Sequence, residues 1–277
     1  MQADESRIEV LTTISKDKHG KPLKNKRKRK PTNVKKRRGW MWVAHDPIHN
    51  RVLFDFKPHR DKAAANALLD DFTGYLQVDG YVSYEHLLEK PDVDYIACMA
   101  HIRRKFFDAQ SNDRKRAIYA LSIIEKIYAI EKIARSMPED ERCHHRLQHL
   151  QPLLVSFKEW LDAEYLKVTP KSTIGKAINY TRNRYAGIEN ILYDGRLEID
   201  NNLVENKIRP LALGRKNYLF AGSNQGAHRL AILYSFVGSC KAQDVNPHKW
   251  LKKVLEVIPN TPLSQLPNLL PGELEVE

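Results

Sequence analysis

Cysteine is scarce in this sequence: Cys98, Cys143 and Cys240 are the only three among 277 residues. An odd number without paired spacing excludes a disulfide framework and fits a reducing compartment. No set of four Cys and His stands at zinc-ligand spacing, which excludes a structural zinc module. Long apolar runs are missing as well, and none approaches the roughly 20 residues that span a bilayer. The first ten residues, MQADESRIEV, lack an apolar signal core, so export and membrane insertion are not expected and the chain is placed in the cytoplasm. Acid falls short of base, 34 Asp and Glu against 46 Lys and Arg, for a net charge of +12. Such an excess points to a polyanionic partner, nucleic acid first, because clustered cations gain free energy by releasing counterions from phosphates.

What is present suffices for one large domain or two ordinary ones, since 42% of residues are apolar. Residues 7–14 (RIEVLTTI), 39–46 (GWMWVAHD) and 51–57 (RVLFDFK) are rich in β-branched and aromatic residues and read as strands. DPIHN joins the second to the third as a hairpin turn. DKAAANALLDDF (61–72) is a helix of good formers, and GYLQVDGY (74–81) is a strand that stops at a glycine. A brief helix over 82–89 and a further strand, VDYIACMA (93–100), follow. The order β-β-β-α-β-α-β predicts an α/β fold, a mixed sheet with helices packed against it.

Beyond residue 102 the hydrophobic period changes from two to three and four. Ala117, Ala120, Leu121, Ile124, Ile127 and Tyr128 trace one helix face within 102–136. Leu147, Leu150, Leu154, Phe157, Leu161 and Tyr165 trace a second, in which Pro152 predicts a kink. Ser172 or Thr173 caps a third helix that buries Ile174, Ile178, Tyr185, Ile188 and Leu192. These stripes are packing faces. YDGRLEIDNN (193–202) interrupts the helices, and Asn201 or Asn202 caps a short helix ending near Pro210. LGRKNYLFAGSNQGA reads as a Gly-punctuated strand or loop, followed by a helix over 227–241. Asn246 and Pro247 start a last helix, and the proline-rich stretch from Pro259 on reads as a linker or loose end.

Two features carry chemistry. KNKRKRKPTNVKKRR (24–38) holds ten Lys or Arg in fifteen residues and reads as a solvated loop, or a targeting signal if the cell has a nucleus; its place in a hairpin connection would let it touch phosphate. Three acids stand at element ends: Asp4 at the start of the first strand, Asp79 before Gly80 at the end of another, and Glu205 about one turn inside a helix. Carboxylates converging from strand ends and a neighbouring helix suit Mg²⁺, which takes oxygen ligands and substrate phosphates. Taken alone, an Asp before Gly is more often turn chemistry and a helix Glu more often solvated charge than a ligand.

ADES at 3–6, LQVDGYVSY at 76–84, ACMAHIRRKF at 97–106, IDNNLVENKIRPLALGRKNYLFAGSNQGA at 199–227 and NPHKWL at 246–251 resemble the bacterial insertion-sequence transposases of type sixty-six. The resemblance implies a DDE transposase with a ribonuclease-H-like core, a mixed sheet flanked by helices with an all-helical insertion before the catalytic helix. It implies core segments at 1–102 and 196–258, the insertion at 103–195 and a flexible tail at 259–277. Asp4, Asp79 and Glu205 would be the catalytic metal ligands for two Mg²⁺ or Mn²⁺ ions, with Asp79 bridging both. Cys98 and His101 resemble a Cys-x-x-His element, for which packing or a DNA-end role suits His101 better than metal binding. Arg209, Arg215 and Lys216, then Arg103 and Arg104, are the candidates for gripping phosphates. The implied partners are insertion-sequence ends and target DNA, on which the chain would act as a homo-oligomer associated with the bacterial nucleoid. Cleavage by an activated water and attack of the freed 3′-hydroxyl on target DNA would need no covalent protein intermediate.

Two departures from that pattern follow. Full-length members carry an N-terminal recognition region, so a C-terminal catalytic piece is expected here. The basic run at 24–38 is longer than the usual connection, and its role is open. A catalytically impaired DNA-binding fragment and a ribonuclease-H-like nuclease acting on other nucleic acids are the alternative readings.

Overall fold

The computed structural model describes residues 1–13 and 34–275, so residues 24–33 of the basic run lie outside it. Five strands form one mixed sheet: β1 (Gln2–Thr13), β2 (Val34–Asp46), β3 (Arg51–Lys57), β4 (Gly74–Val78) and β5 (Val93–Ala97), in the order β3-β2-β1-β4-β5. β1 is parallel to β4, with Gln2 opposite Gln77, and β4 is parallel to β5. β2 and β3 pair antiparallel from Trp40 opposite Lys57 to Asp46 opposite Arg51, which is the hairpin predicted around DPIHN. The predicted mixed α/β arrangement is therefore present. The strands expected to reach residues 81 and 100 stop at Val78 and Ala97. Gly80 turns the first away with φ of 76°, and Cys98 is already the N-cap of the next helix. Helix α1 (Lys62–Leu69) starts at Asp61, whose carboxylate accepts from Ala64 N, and the brief helix after β4 is a 3-10 helix, Val82–Leu87.

The chain forms two compact units, one of Met1–Gln2 and Asp71–Leu203, the other of Ala3–Asp70 and Val204–Glu277. In the first unit, β4 and β5 are followed by α2 (Met99–Asp108), α3 (Arg114–Ala134), α4 (Glu139–His145), α5 (Gln151–Tyr165), α6 (Thr173–Arg182) and α7 (Tyr185–Glu189). Their facing stripes close a single core containing Phe106, Ala117, Ile124, Ile127, Leu154, Phe157, Leu161, Ile174 and Ile178. Burying a side chain of this size stabilises by about 1.5–3 kcal/mol. One expectation needs correction. Leu147 is 41% exposed because residues 146–150 form a π-helical turn, whose extra residue shifts the register and turns Arg146 inward. Pro152 directly follows that turn, in the first positions of α5.

The second unit adds α8 (Asn202–Tyr218, whose first two residues belong to the first unit), α9 (Asn224–Ala242) and α10 (Pro247–Val257) to β1, β2, β3 and α1. Its core gathers Ile8, Val10, Met41, Val43, Phe54 and Phe56 from the strands with Val204, Ile208 and Leu211 from α8 and Ala227 and Ala231 from α9. Ser235 and Ser239 of α9 accept from the Phe54 and Val52 amides at 2.7 and 3.0 Å, covering the outer edge of β3 against further pairing. α8 does not end near Pro210, and the expected strand or loop after it is largely helix. Pro210 lies on the exposed side, while Val204, Ile208 and Leu211 keep the opposite side buried across it. That burial offsets the roughly 3 kcal/mol that an interior proline costs. Beyond α10, the stretch expected as a loose end carries 3-10 turns at Ile258–Asn260 and Leu263–Leu269, with Trp250 Nε1 donating to the Leu269 carbonyl at 3.0 Å.

Candidate active site

Within the first unit, a buried polar knot stands at the strand ends. Gln2 Nε2 donates to Gln77 Oε1 at 2.7 Å and to the Asp200 carbonyl at 3.1 Å. Gln77 Nε2 donates in turn to the Glu198 carbonyl at 2.9 Å, and Met99 N donates to the Ile199 carbonyl at 3.0 Å. Residues 198–200, the lead into α8, are thereby docked on the ends of β1, β4 and β5. Asp200, 2% exposed, accepts from Asn202 N at 3.1 Å and from Tyr128 OH at 3.0 Å. Asn201, fully buried, accepts from Cys98 Sγ at 2.9 Å. Asp200 thus meets the first amide of α8, and Asn201 ties the lead into α8 to the start of α2. Burial pushes the Cys98 thiol up to about 12, against the opposing Asn201 and His101 contacts, so it stays protonated at neutral pH. A protonated thiol is a donor and not a metal ligand, and His101, whose Nδ1 lies 3.1 Å from Cys98 Sγ, packs beside it.

Asp79 follows β4 directly and is half-buried. One Asp79 oxygen accepts from Tyr81 N at 2.9 Å. Its backbone carbonyl accepts from Tyr180 OH at 2.7 Å, and the Gly80 carbonyl accepts from Arg184 Nη2 at 2.8 Å. Arg103 and Arg104 are exposed on α2.

In the second unit, Asp4 lies near the start of β1 and Glu205 in the first turn of α8, both half-buried. The far end of α8 is tied to β1. Arg215 Nη1 donates to Ser6 Oγ at 2.9 Å and to the Arg7 carbonyl at 2.6 Å, and Ala221 pairs with Val10. Arg215 extends the stripe Val204, Ile208, Leu211 at steps of four, three and four, which is why it reaches the sheet. Glu205, Arg209 and Lys216 share a different face, and both cations are exposed. Among the described residues, no group of three or more His, Cys, Asp or Glu side chains stands ready to hold a metal ion. The donor set Asp4, Asp79 and Glu205 is nonetheless all carboxylate, which is the chemistry that hard divalent cations take.

Residues 25–229 match the model described as the Transposase IS66 family, and residues 235–271 match the IS66 C-terminal element. The chain belongs to the IS66 transposase family. Among curated relatives, the uncharacterized protein y4jD of Sinorhizobium fredii is 33% identical over 234 residues, 81% of this chain and 46% of its own length. From the same organism, y4hP is 34% identical over 222 residues, 74% of this chain and 40% of its own. The third, y4qI, is 32% identical over 257 residues, 87% of this chain and 48% of its own. The chain thus spans less than half the length of these relatives. No solved structure matches it. The IS66 match includes Asp79, His101, Arg103, Arg104, Glu205, Arg209, Arg215 and Lys216, whereas Asp4 precedes it. No helix among the described residues is long and apolar enough to cross a membrane.

Sequence reasoning missed Tyr180 and Arg184, which surround Asp79 from about a hundred residues away. The only local signal for them was Gly80. Its φ of +76° favours glycine, and an added Cβ would come within 2.3 Å of Arg184 Nε.

Proposed function

We propose that this IS66 chain is the catalytic part of a DDE transposase with a ribonuclease-H-like core, cutting and joining DNA at insertion-sequence ends. The observation that carries this reading is the knot of Gln2, Gln77 and the Asp200 carbonyl. Asp79 stands two residues beyond Gln77, and Asp200 leads into the helix that carries Glu205. Bound Mg²⁺ or Mn²⁺ would polarise the scissile phosphate and supply a nucleophilic water near neutral pH. Asp4, Asp79 and Glu205 would hold those cations, two in number. Asp79 is oriented for that role by Tyr81 N on one oxygen, and Glu205 by a helix anchored at its start through Asp200. Arg209 and Lys216, on the face of α8 that carries Glu205, and Arg103 and Arg104 on α2 would bind the flanking DNA backbone. His101 would help seat the DNA end, and the chain would act as a multimer on paired ends.

A calorimetric titration with Mn²⁺ tests the ligand assignment without needing turnover. The intact chain is expected to bind Mn²⁺, and Asp79→Asn and Glu205→Gln each to weaken it by at least about tenfold, since even groups behind a metal ligand cost 10–100-fold. Equal affinity in all three would remove these carboxylates from the site.

A further inference from the structure

We propose that Arg184 and Lys105 form a phosphate clamp beside Asp79, through which the helical part of the first unit grips the DNA strand. The clamp rests on the DNA-processing reading above and extends it to residues that no comparison assigns.

Both cations converge on one ring. Arg184 Cζ lies 4.0 Å and Lys105 Nζ 5.3 Å from the centre of the Tyr180 ring, and the Tyr180 hydroxyl donates to the Asp79 carbonyl at 2.7 Å. Arg184 is fastened to the turn itself by its bond to the Gly80 carbonyl. That bond engages one of the five guanidinium donors, leaving others for a phosphate oxygen. Gly80 is shaped to admit it, because any Cβ at this position would strike the guanidinium.

The other buried or half-buried arginines of this unit are neutralised. Arg116 meets Asp113 and Glu164, Arg142 and Arg146 meet Glu131, and Arg182 meets Asp162. Arg184 and Lys105 have no carboxylate partner among the described residues, and Arg103 and Arg104 stand exposed on the same helix as Lys105. A carboxylate that must receive a phosphodiester repels it. Arg184 at its turn, with Lys105 over the neighbouring Tyr180 ring, offsets that repulsion before any metal binds. A guanidinium fixed by a carbonyl and a ring loses little further freedom on taking a phosphate.

The test is the salt dependence of duplex DNA binding, read by fluorescence anisotropy in EDTA. The intact chain is compared with Lys105→Gln, Arg184→Gln, the double variant, and Arg182→Gln as a neighbouring arginine already paired to Asp162. The slope of log affinity against log salt should become shallower by roughly 0.9 for each lost phosphate contact. Both single variants and the double variant should show this, and Arg182→Gln should not. Lys105 is exposed, so its variant remains informative should Arg184→Gln melt early. Wild-type slopes in Lys105→Gln and in the double variant would overturn the clamp while leaving the carboxylate assignment intact. Loss of metal-dependent cutting in Asp79→Asn, with its DNA slope unchanged, would separate the clamp from the catalytic carboxylates. A wild-type chain that does not bind DNA at all would overturn both.

Discussion

His45 shows at the residue scale how a single buried group sets the behaviour of a unit. It sits in β2 at 2% exposure, and among the described residues both ring nitrogens lack a hydrogen-bond partner. Burial, with Lys207 adding, pushes its pKa down from 6.5 to about 4. The unfolded chain therefore takes up a proton near pH 6.5 that the folded chain refuses until about pH 4. Stability from the neutral ring is complete above about pH 6.5 and is lost as pH falls toward 4, by about 3 kcal/mol across the window. Denaturant unfolding at pH 7.5 and pH 4.5 checks this. His45→Leu should be at least as stable as wild type at pH 7.5, since it removes two unpaired buried nitrogens, and should gain further over wild type at pH 4.5. A wild-type difference that does not change with pH would contradict it. GWMWVAHD was legible as a strand, but nothing local marks His45 as a residue to be buried without a partner.

The π-helical turn between α4 and α5 decides, at the element scale, how the lead into α8 is held. Arg146, fully buried, donates to Glu131 and to the carbonyls of Ile191, Asp194 and Leu197. Arg142 bridges Glu131 to Glu198. Burial alone would raise the Glu131 carboxyl, but the Arg146 and Arg142 guanidiniums outweigh it and hold it below its ordinary value. Replacing Arg146 with Met removes a donor from three carbonyls, of which that of Asp194 keeps Leu197 N, and weakens the pairing of a buried carboxylate. A loss of about 3–5 kcal/mol in urea unfolding is expected. A loss under about 1 kcal/mol would mean that the network carries no net stability. The apolar stripes of this unit were legible because they are local and periodic. The network was not, since its partners lie far apart in sequence and a leucine stripe drawn through Leu147 concealed the extra residue of the turn. The length of α8 was misread for a related reason: Pro210 is a local stop signal, and the burial that overrides it comes from strands far upstream in the sequence.

The charge and the family agree at the scale of the whole molecule. A net charge of +12 pointed to a polyanion, and the IS66 match supplies a DNA-processing context for it. The succession of strands and helices along the chain, the acid after β4 and the asparagines at the start of α8 could be read from residues alone. The grouping of Asp4, Asp79 and Glu205 came from resemblance, because three isolated acids in a basic chain have no period to reveal them. The groups around Asp79 emerged only from the fold. The most direct measurement is metal-dependent nicking of duplex DNA carrying the element's terminal repeat, in Mg²⁺ or Mn²⁺, by wild type, Asp79→Ala and Glu205→Ala side by side. The account predicts cutting by wild type that stops in EDTA and falls by at least about 100-fold in each variant. Equal cutting by all three proteins would contradict it.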